Sequence, residues 1–402
     1  MQPSLPSPRP APCGHFAHRP RTGPAYLLAV WLSVAALRAT RATDSVEYKF
    51  TDYAEENGRI HVVTQIARGQ TEIGAARIAV QGTVDTITGA TPTGEPVPAG
   101  SAQVPLARFP REIRRAATVE FGSSFGRNDW EASLSFSKEP DYVSRAFSVT
   151  DLMNFNRKDT VLRFGYAHSD DRVEPFFFPS PLKKHSDDLI VGVTQILDPV
   201  TTVTFNLTSG TVRGYLSDPY KAIVKTVVID PAHPDLMLTQ PFPENRPAAR
   251  DRWIALLGAS HFFRPVDGAL EVSYRYYRDN WDVASHTMEL AWFQHLGPAL
   301  VLRPDFRFYT QSAANFYAQT LNGTAIDPTH RSEGVGPFYS ADYRLTRLTT
   351  TTIGLKLVAR LGAHLSADLT AERYVMRGRD STTPRSAFPS ANLLSAGFSW
   401  VF

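Results

Sequence analysis

The chain has 402 residues, of which 43% are apolar and 11% aromatic, with a mean hydropathy of −0.22 and a formal net charge of +3. This composition excludes a disordered chain and a helical membrane bundle, and the charge is too small to call for nucleic acid. One large β architecture or two to three ordinary domains would fit the length.

In chain order, basic and proline-rich residues through Arg21 precede the apolar run Ala25 to Leu37, followed by the small residues Ala39 and Ala42. The run is too short to span a bilayer as a permanent helix. It reads as a secretory signal peptide over residues 1–42, with cleavage expected after Ala42. The one cysteine, Cys13, lies in that leader, so the mature chain, residues 43–402, has no thiol for a disulfide framework or a lipid anchor.

Beyond residue 44 no window holds 18 consecutive apolar residues, so no transmembrane helix is predicted. Period-2 alternation over roughly ten residues recurs instead, the pattern of a strand with one face in lipid and one toward a wet lumen. Leu270, Val272, Tyr274 and Tyr276 oppose Glu271, Ser273 and Arg275; Met288, Leu290 and Trp292 oppose Thr287, Glu289 and Ala291. Leu302, Pro304, Phe306 and Phe308 oppose Arg303, Asp305 and Arg307, and residues Ala341 to Leu361 read as one long strand without a slip. The last segment alternates Leu394, Ala396, Phe398, Trp400 and Phe402, the terminal pattern that the barrel assembly machinery reads.

Turn chemistry sorts the connections into two classes. Short turns fall near Gly74, Gly126 to Asp129, Asn156 to Asp159, Asp198 to Pro199, Pro265 to Gly268, Leu296 to Pro298 and Leu361 to His364. Between them lie long connections at 88–111, 170–187, 214–249, 311–337 and 376–390, and shorter ones near Asn57 to Gly58, Glu139 to Asp141 and Asn280. Seven turns alternating with eight loops give about sixteen strands. The expected fold is therefore all-β: a single closed antiparallel transmembrane barrel with short periplasmic turns and long extracellular loops, in the outer membrane of a Gram-negative bacterium.

The alternation turns Arg77, Glu120, Glu131, Arg163, Asp368 and Glu372 inward, and with them the principal lumen-lining candidates Glu271, Arg275, Glu289, Arg303, Asp305, Arg307, Asp342, Arg344, Lys356 and Arg360. Interleaved charges of this kind either brace the wall by pairing or line a selective aqueous path. Enzymatic readings are weak. Ser285 and His286 are adjacent and hence on opposite faces, while His168, Ser169, Asp170 and Asp171 sit at a strand-to-loop junction without a defined partner. No metal-ligand spacing occurs, and Gly89 to Gly94 lacks the lysine of a phosphate loop, so neither metal nor cofactor is expected. Acidic residues Asp170, Asp171, Glu174, Asp187 and Asp188 suit a solvated loop or bridging cations of lipopolysaccharide. The aromatic run Phe176 to Phe178 is expected to pack into the barrel mouth.

At Gln81 to Gly94 (QGTVDTITGATPTG), Tyr274 to Leu290 (YRYYRDNWDVASHTMEL), Tyr309 to Tyr317 (YTQSAANFY) and Tyr339 to Leu345 (YSADYRL) the chain resembles an uncharacterised bacterial family, the domain-of-unknown-function family 3570 (DUF3570). The resemblance spans nearly all of the mature chain. It implies an outer-membrane barrel and, through the flavin-transfer and thioredoxin-like proteins encoded near members, a redox-linked envelope system.

The functional expectation is a porin-like pore or channel for small solutes, not an enzyme. The competing readings are a structural or partner-binding barrel of an envelope complex and an outer-membrane hydrolase. Expected partners are outer-membrane lipid, lipopolysaccharide, the assembly machinery and an envelope protein.

Overall fold

The computed structural model describes residues 44–92, 97, 101, 103–175, 177–328 and 334–402. The expected signal peptide, Phe176 and part of Gly89 to Gly94 lie outside them.

Alternating apolar and polar side chains favour extended backbone when each face meets a different medium, and the regular structure of the described residues is strand apart from four three-residue 3-10 turns. The strands are β1 (Ser45–Glu55), β2 (His61–Ile73), β3 (Ala76–Pro92), β4 (Leu106–Phe125), β5 (Asn128–Lys138), β6 (Tyr142–Phe155), β7 (Thr160–Val173), β8 (Leu182–Asp198) and β9 (Thr201–Gly214). They continue with β10 (Ala222–Asp230), β11 (His233–Pro243), β12 (Ala249–Phe263), β13 (Gly268–Asp279), β14 (Ala284–His295), β15 (Leu300–Gln311), β16 (Leu348–Arg360), β17 (Leu365–Gly378) and β18 (Ser390–Val401). Sixteen of them form one closed barrel, ordered β1-β18-β17-β16-β15-β14-β13-β12-β9-β8-β7-β6-β5-β4-β3-β2. The ring shuts where β1 pairs antiparallel with β18, from Ser45↔Val401 to Glu55↔Ala391. Closure leaves no strand edge to aggregate and no backbone group to desolvate in lipid.

Each short turn has two to four residues, and left-handed residues such as Gly74, Gly126 and Asp267 reverse the chain there. Both described termini lie at the same end of the barrel, joined by the Phe402 amide donating to the Asp44 carbonyl at 2.8 Å. The seven turns and eight loops alternate in the order that the sequence pattern gives.

Three boundaries differ. Strands β3, β4, β7 and β8 run further than expected, narrowing the connection read at 88–111 to 93–105 and that at 170–187 to 174–181. The connection read at 214–249 contains the hairpin β10–β11, paired with each other and outside the barrel ring. The third correction affects the lumen: Ala341 to Leu361 is not one strand. β16 begins only at Leu348, and Tyr343–Leu345 form a 3-10 turn whose N-cap Asp342 accepts from the Arg344 amide. Tyr343 and Leu345 carry the right parity for a lipid face, but both are buried among loop side chains. Periodicity fixed their parity without fixing their partner.

Among the described residues, the apolar packing of a soluble domain is found in the loops and not in the barrel interior. One cluster holds Ile223, Phe242, Leu321, Tyr339 and Ala341, a second Trp281, Val283, Ala314, Phe316 and Leu345, and a third Val104, Tyr343 and Ala387.

Candidate functional site: the lumen and its roof

On β15 the charged residues Arg303, Asp305 and Arg307 face inward, and Phe306 and Phe308, each more than a third exposed, face out. Pairing carries the pattern round the wall. Arg307 Nε lies 3.1 Å from Glu289 on β14, and Lys356 on β16 lies 3.5 Å from Asp368 on β17. Arg68 on β2 reaches past β3 to make a two-bonded contact with Glu120 on β4, at 2.8 and 2.6 Å, and Arg77 meets Glu131 at 2.6 Å. Such forked contacts hold guanidinium planes flat against the wall. Gly210 shows how flat: a Cβ there would stand 2.0 Å from the Asp188 carboxylate and 2.6 Å from Arg252 Nε. Only glycine lets that pair lie down.

Two of the lumen cavities hold most of the candidate charges. The one toward the short-turn end, about 430 Å³, is lined by Glu271, Glu289, Asp305, Glu372, Arg303 and Arg307, with Thr202, Thr204, Ser260, Ser273 and Thr352 supplying hydroxyls. The one toward the loop end, about 600 Å³, carries the opposite sign. Seven cations line it, Lys184, Arg246, Arg250, Arg252, Arg275, Arg307 and Arg344, against the two carboxylates Asp218 and Asp342. Arg307 borders both. Thus Glu271, Glu289, Arg303 and Asp305 share the first chamber, and Arg275, Asp342 and Arg344 the second. Lys356 lines a third recess with Lys49, Arg68 and Asp368, and Arg360 is exposed at the end of β16, brought to none of these.

The loops roof the second chamber. Lys221, between β9 and β10, donates from Nζ to Thr91 Oγ1 at 2.6 Å and to the Pro92 carbonyl at 3.0 Å, which puts it in contact with the far wall. Segment 312–347 is tied on several sides. The Leu321 amide donates to the Val224 carbonyl at 3.0 Å, the Ala314 amide to the Leu345 carbonyl at 2.8 Å, and the Tyr317 and Thr383 hydroxyls are paired. Arg59 guanidinium reaches the Tyr343 hydroxyl and the Ser386 carbonyl. At the centre, Arg246 bridges Glu244 at 2.6 Å and Asp342 at 2.9 Å, and Asp342 also accepts from Arg344 Nε at 2.8 Å. Burial pushes the Glu244 carboxyl up; burial acts on Asp342 too, but Arg344 and Arg246 outweigh it and hold that carboxyl well below the usual range. Burial also lowers the Lys221 ammonium.

Sequence reading did not find Glu244, Arg246, Lys221 or the roof. The available signal was the density of Phe316, Tyr317, Leu321, Phe338 and Tyr339 in a connection, more apolar than a solvated loop requires. Of the aromatic run, Phe178 stacks edge-on against Tyr215, ring centres 6.1 Å apart. Ser285 is buried on the lumen side, whereas His286 lies on the outer face beside the Tyr274 hydroxyl at 2.6 Å.

The family model described as "Protein of unknown function (DUF3570)" matches residues 29–394, nearly the whole chain. The chain belongs to that family. No curated protein matches it. Among solved structures, this DUF3570 barrel is similar to the siderophore receptor PirA from Pseudomonas aeruginosa, with 11% identity, TM-score 0.43, and coverage of 89% of this chain and 62% of the receptor. It is also similar to CdiB from Acinetobacter baumannii, with 9% identity, TM-score 0.49, and coverage of 90% and 61%. A third similarity is to a loop-deletion mutant of OmpT, an outer membrane protein of Vibrio cholerae, with 11% identity, TM-score 0.41, and coverage of 90% and 99%. The DUF3570 chain thus spans under two thirds of the length of PirA and CdiB. At such identities the likeness is one of fold and says nothing of cargo.

Proposed function

We propose that this DUF3570 protein is a pore for small solutes in the outer membrane of a Gram-negative bacterium, exported through a leader removed after Ala42. The observation that carries the reading is the pair of charged, hydroxyl-rich cavities of about 430 and 600 Å³ inside the barrel, where a purely structural barrel would do better filled. The chemistry lining them is that of a solute path, with hydroxyls and fixed charges of both signs.

A second reading is a closed barrel serving as a structural or partner-binding element of an envelope complex. It is favoured by the roof, since Lys221 and segment 312–347 tie loops of distant strands across the mouth. Conductance of the purified protein in planar bilayers separates the two. A pore gives discrete current steps, and Arg307→Ala shifts the reversal potential toward cations because Glu289 then stands unneutralised at the junction of the chambers. A barrel silent at every voltage and salt would refute the pore.

A further inference from the structure

We propose that the loop-end chamber is a binding site for a compact multivalent oxyanion, a di- or tricarboxylate or a phosphate. The proposal names the solute of the pore reading and rests on that reading for how the anion arrives and leaves.

The argument begins with where the carboxylates are. Most cations of this chamber have an acidic partner, so a count of charges predicts little; the arrangement decides. The Asp279 side chain is fully buried behind Arg250, at 2.5 Å, and those of Glu244 and Asp342 are 0% and 2% exposed behind Arg246 and Arg344. The guanidiniums in front are more open, the Arg344 side chain 50% exposed and that of Arg250 26%. A solute entering at Arg250 and Arg344 therefore meets N–H donors, with Asp279 and Asp342 turned to the wall behind them and Asp218 the carboxylate beside them. A guanidinium has five N–H donors; Arg344 gives those of Nε and Nη2 to Asp342 and Asp218, which leaves its Nη1 for a ligand.

Arg275 is the second observation. It projects from β13 into the chamber, and among the described residues it has no ion-pair or hydrogen-bond partner. Its neighbours within the chamber, Ser285 and Thr287, are neutral hydroxyls held in place by burial. A cation with nothing to brace is poorly explained by wall support and is free to receive an anion from the chamber. The chamber's volume of about 600 Å³ suits a small-molecule site. Below it the short-turn chamber presents four carboxylates against Arg303 and Arg307, a change of sign that delays an anion at the loop end before it passes on.

The test uses the full chain purified in detergent, with thermal melting followed as citrate, inorganic phosphate or, as a polycation of similar size, spermidine is titrated at constant ionic strength. Citrate or phosphate should raise the melting temperature saturably and spermidine should not; whichever anion saturates at the lower concentration identifies the carboxylate or phosphate class. Arg275→Gln, which strands no partner, should raise the half-saturating concentration about tenfold, the worth of one charge-assisted contact. Arg275→Lys should recover part of it. If Arg275→Gln fails to assemble, the wild-type comparison of citrate with spermidine still decides. Equal effects of citrate and spermidine, or unchanged saturation in Arg275→Gln, would overturn the site. A conducting protein that ignores both anions leaves the pore and removes the site, while anion-dependent melting without conductance keeps the site and removes the pore.

Discussion

Phe306 and Arg307 are adjacent in the chain and opposite in environment. Phe306 faces outward on β15 beside Ile353 and Leu290, and Arg307 faces the lumen against Glu289. Phe306→Lys should destabilise the barrel by about 2–4 kcal/mol if the site sits near the bilayer midplane, read as a lowered urea midpoint for folding into lipid vesicles. Arg307→Ala removes an ion pair whose side chains are 47% and 43% exposed, so assembly should be intact and the stability loss under about 1 kcal/mol. A tolerated Phe306→Lys beside a misassembled Arg307→Ala would mean that the faces are reversed. Adjacent residues can differ this much because one residue of strand turns the side chain to the other medium.

Among elements, the roof and the last strand make the sharpest claims. Asp380 joins the loop after β17 to segment 312–347: it accepts from the Thr346 hydroxyl at 2.6 Å and from the Thr382 and Thr383 amides. Burial opposes its charge, but these bonds win and lower its pKa from the ordinary 3.8 to about 2. A carboxyl lowered on folding contributes stability that is complete above its unfolded pKa and disappears as pH falls through its folded one. Asp342 is lowered in the same sense, whereas Glu244, raised by burial, is not a source of this loss. The roof should therefore hold at about pH 5 and loosen between about pH 4 and pH 2, measured as pepsin cleavage within 312–347; Asp380→Asn should make that cleavage less dependent on pH across this window. At β18, Leu394, Phe398 and Trp400 face outward and the terminal Phe402 amide closes onto Asp44. Deleting Phe402 should reduce the heat-modifiable, assembled fraction on gels, and unchanged assembly would deny this residue a part in barrel recognition.

At the scale of the molecule the fold has two unlike ends, one of short turns carrying both described termini and one of loops packed into a roof. If the loop end faces outside the cell, Ser180→Cys and Thr324→Cys should react with a membrane-impermeant maleimide on intact cells and Asn128→Cys, beside the β4–β5 turn, should not. Labelling of Asn128→Cys alone would invert the orientation. The roof also separates two kinds of stability in one chain. The barrel rests on a continuous ladder of backbone hydrogen bonds, and the loops rest on small apolar clusters and the buried Glu244–Arg246–Asp342 network. Removing one partner of such a network strands a buried charge, so damage at Arg246 should unfold the mouth before the wall.

The sequence alone determined the barrel. An alternation that turns Arg303, Asp305 and Arg307 away from Phe306 and Phe308 is stable only between two media, and short turns alternating with loops count the strands, because each strand's facing is a local property of its own residues. The same locality explains what it could not determine. Ala341 to Leu345 keeps perfect alternation yet leaves the wall, since Leu345 gains more beside Trp281 and Phe316, and Asp342 more from Arg246 and Arg344, than either would on a strand. Of those partners Phe316, Trp281 and Arg246 lie about 30 to 100 residues away in the chain, and the basic chamber beneath them exists only once the roof has brought Arg246 and Arg344 over Arg250, Arg252 and Arg275. Facing is set by neighbours along the strand, whereas the sign of a cavity is set by which distant charges the closed ring and its loops bring together.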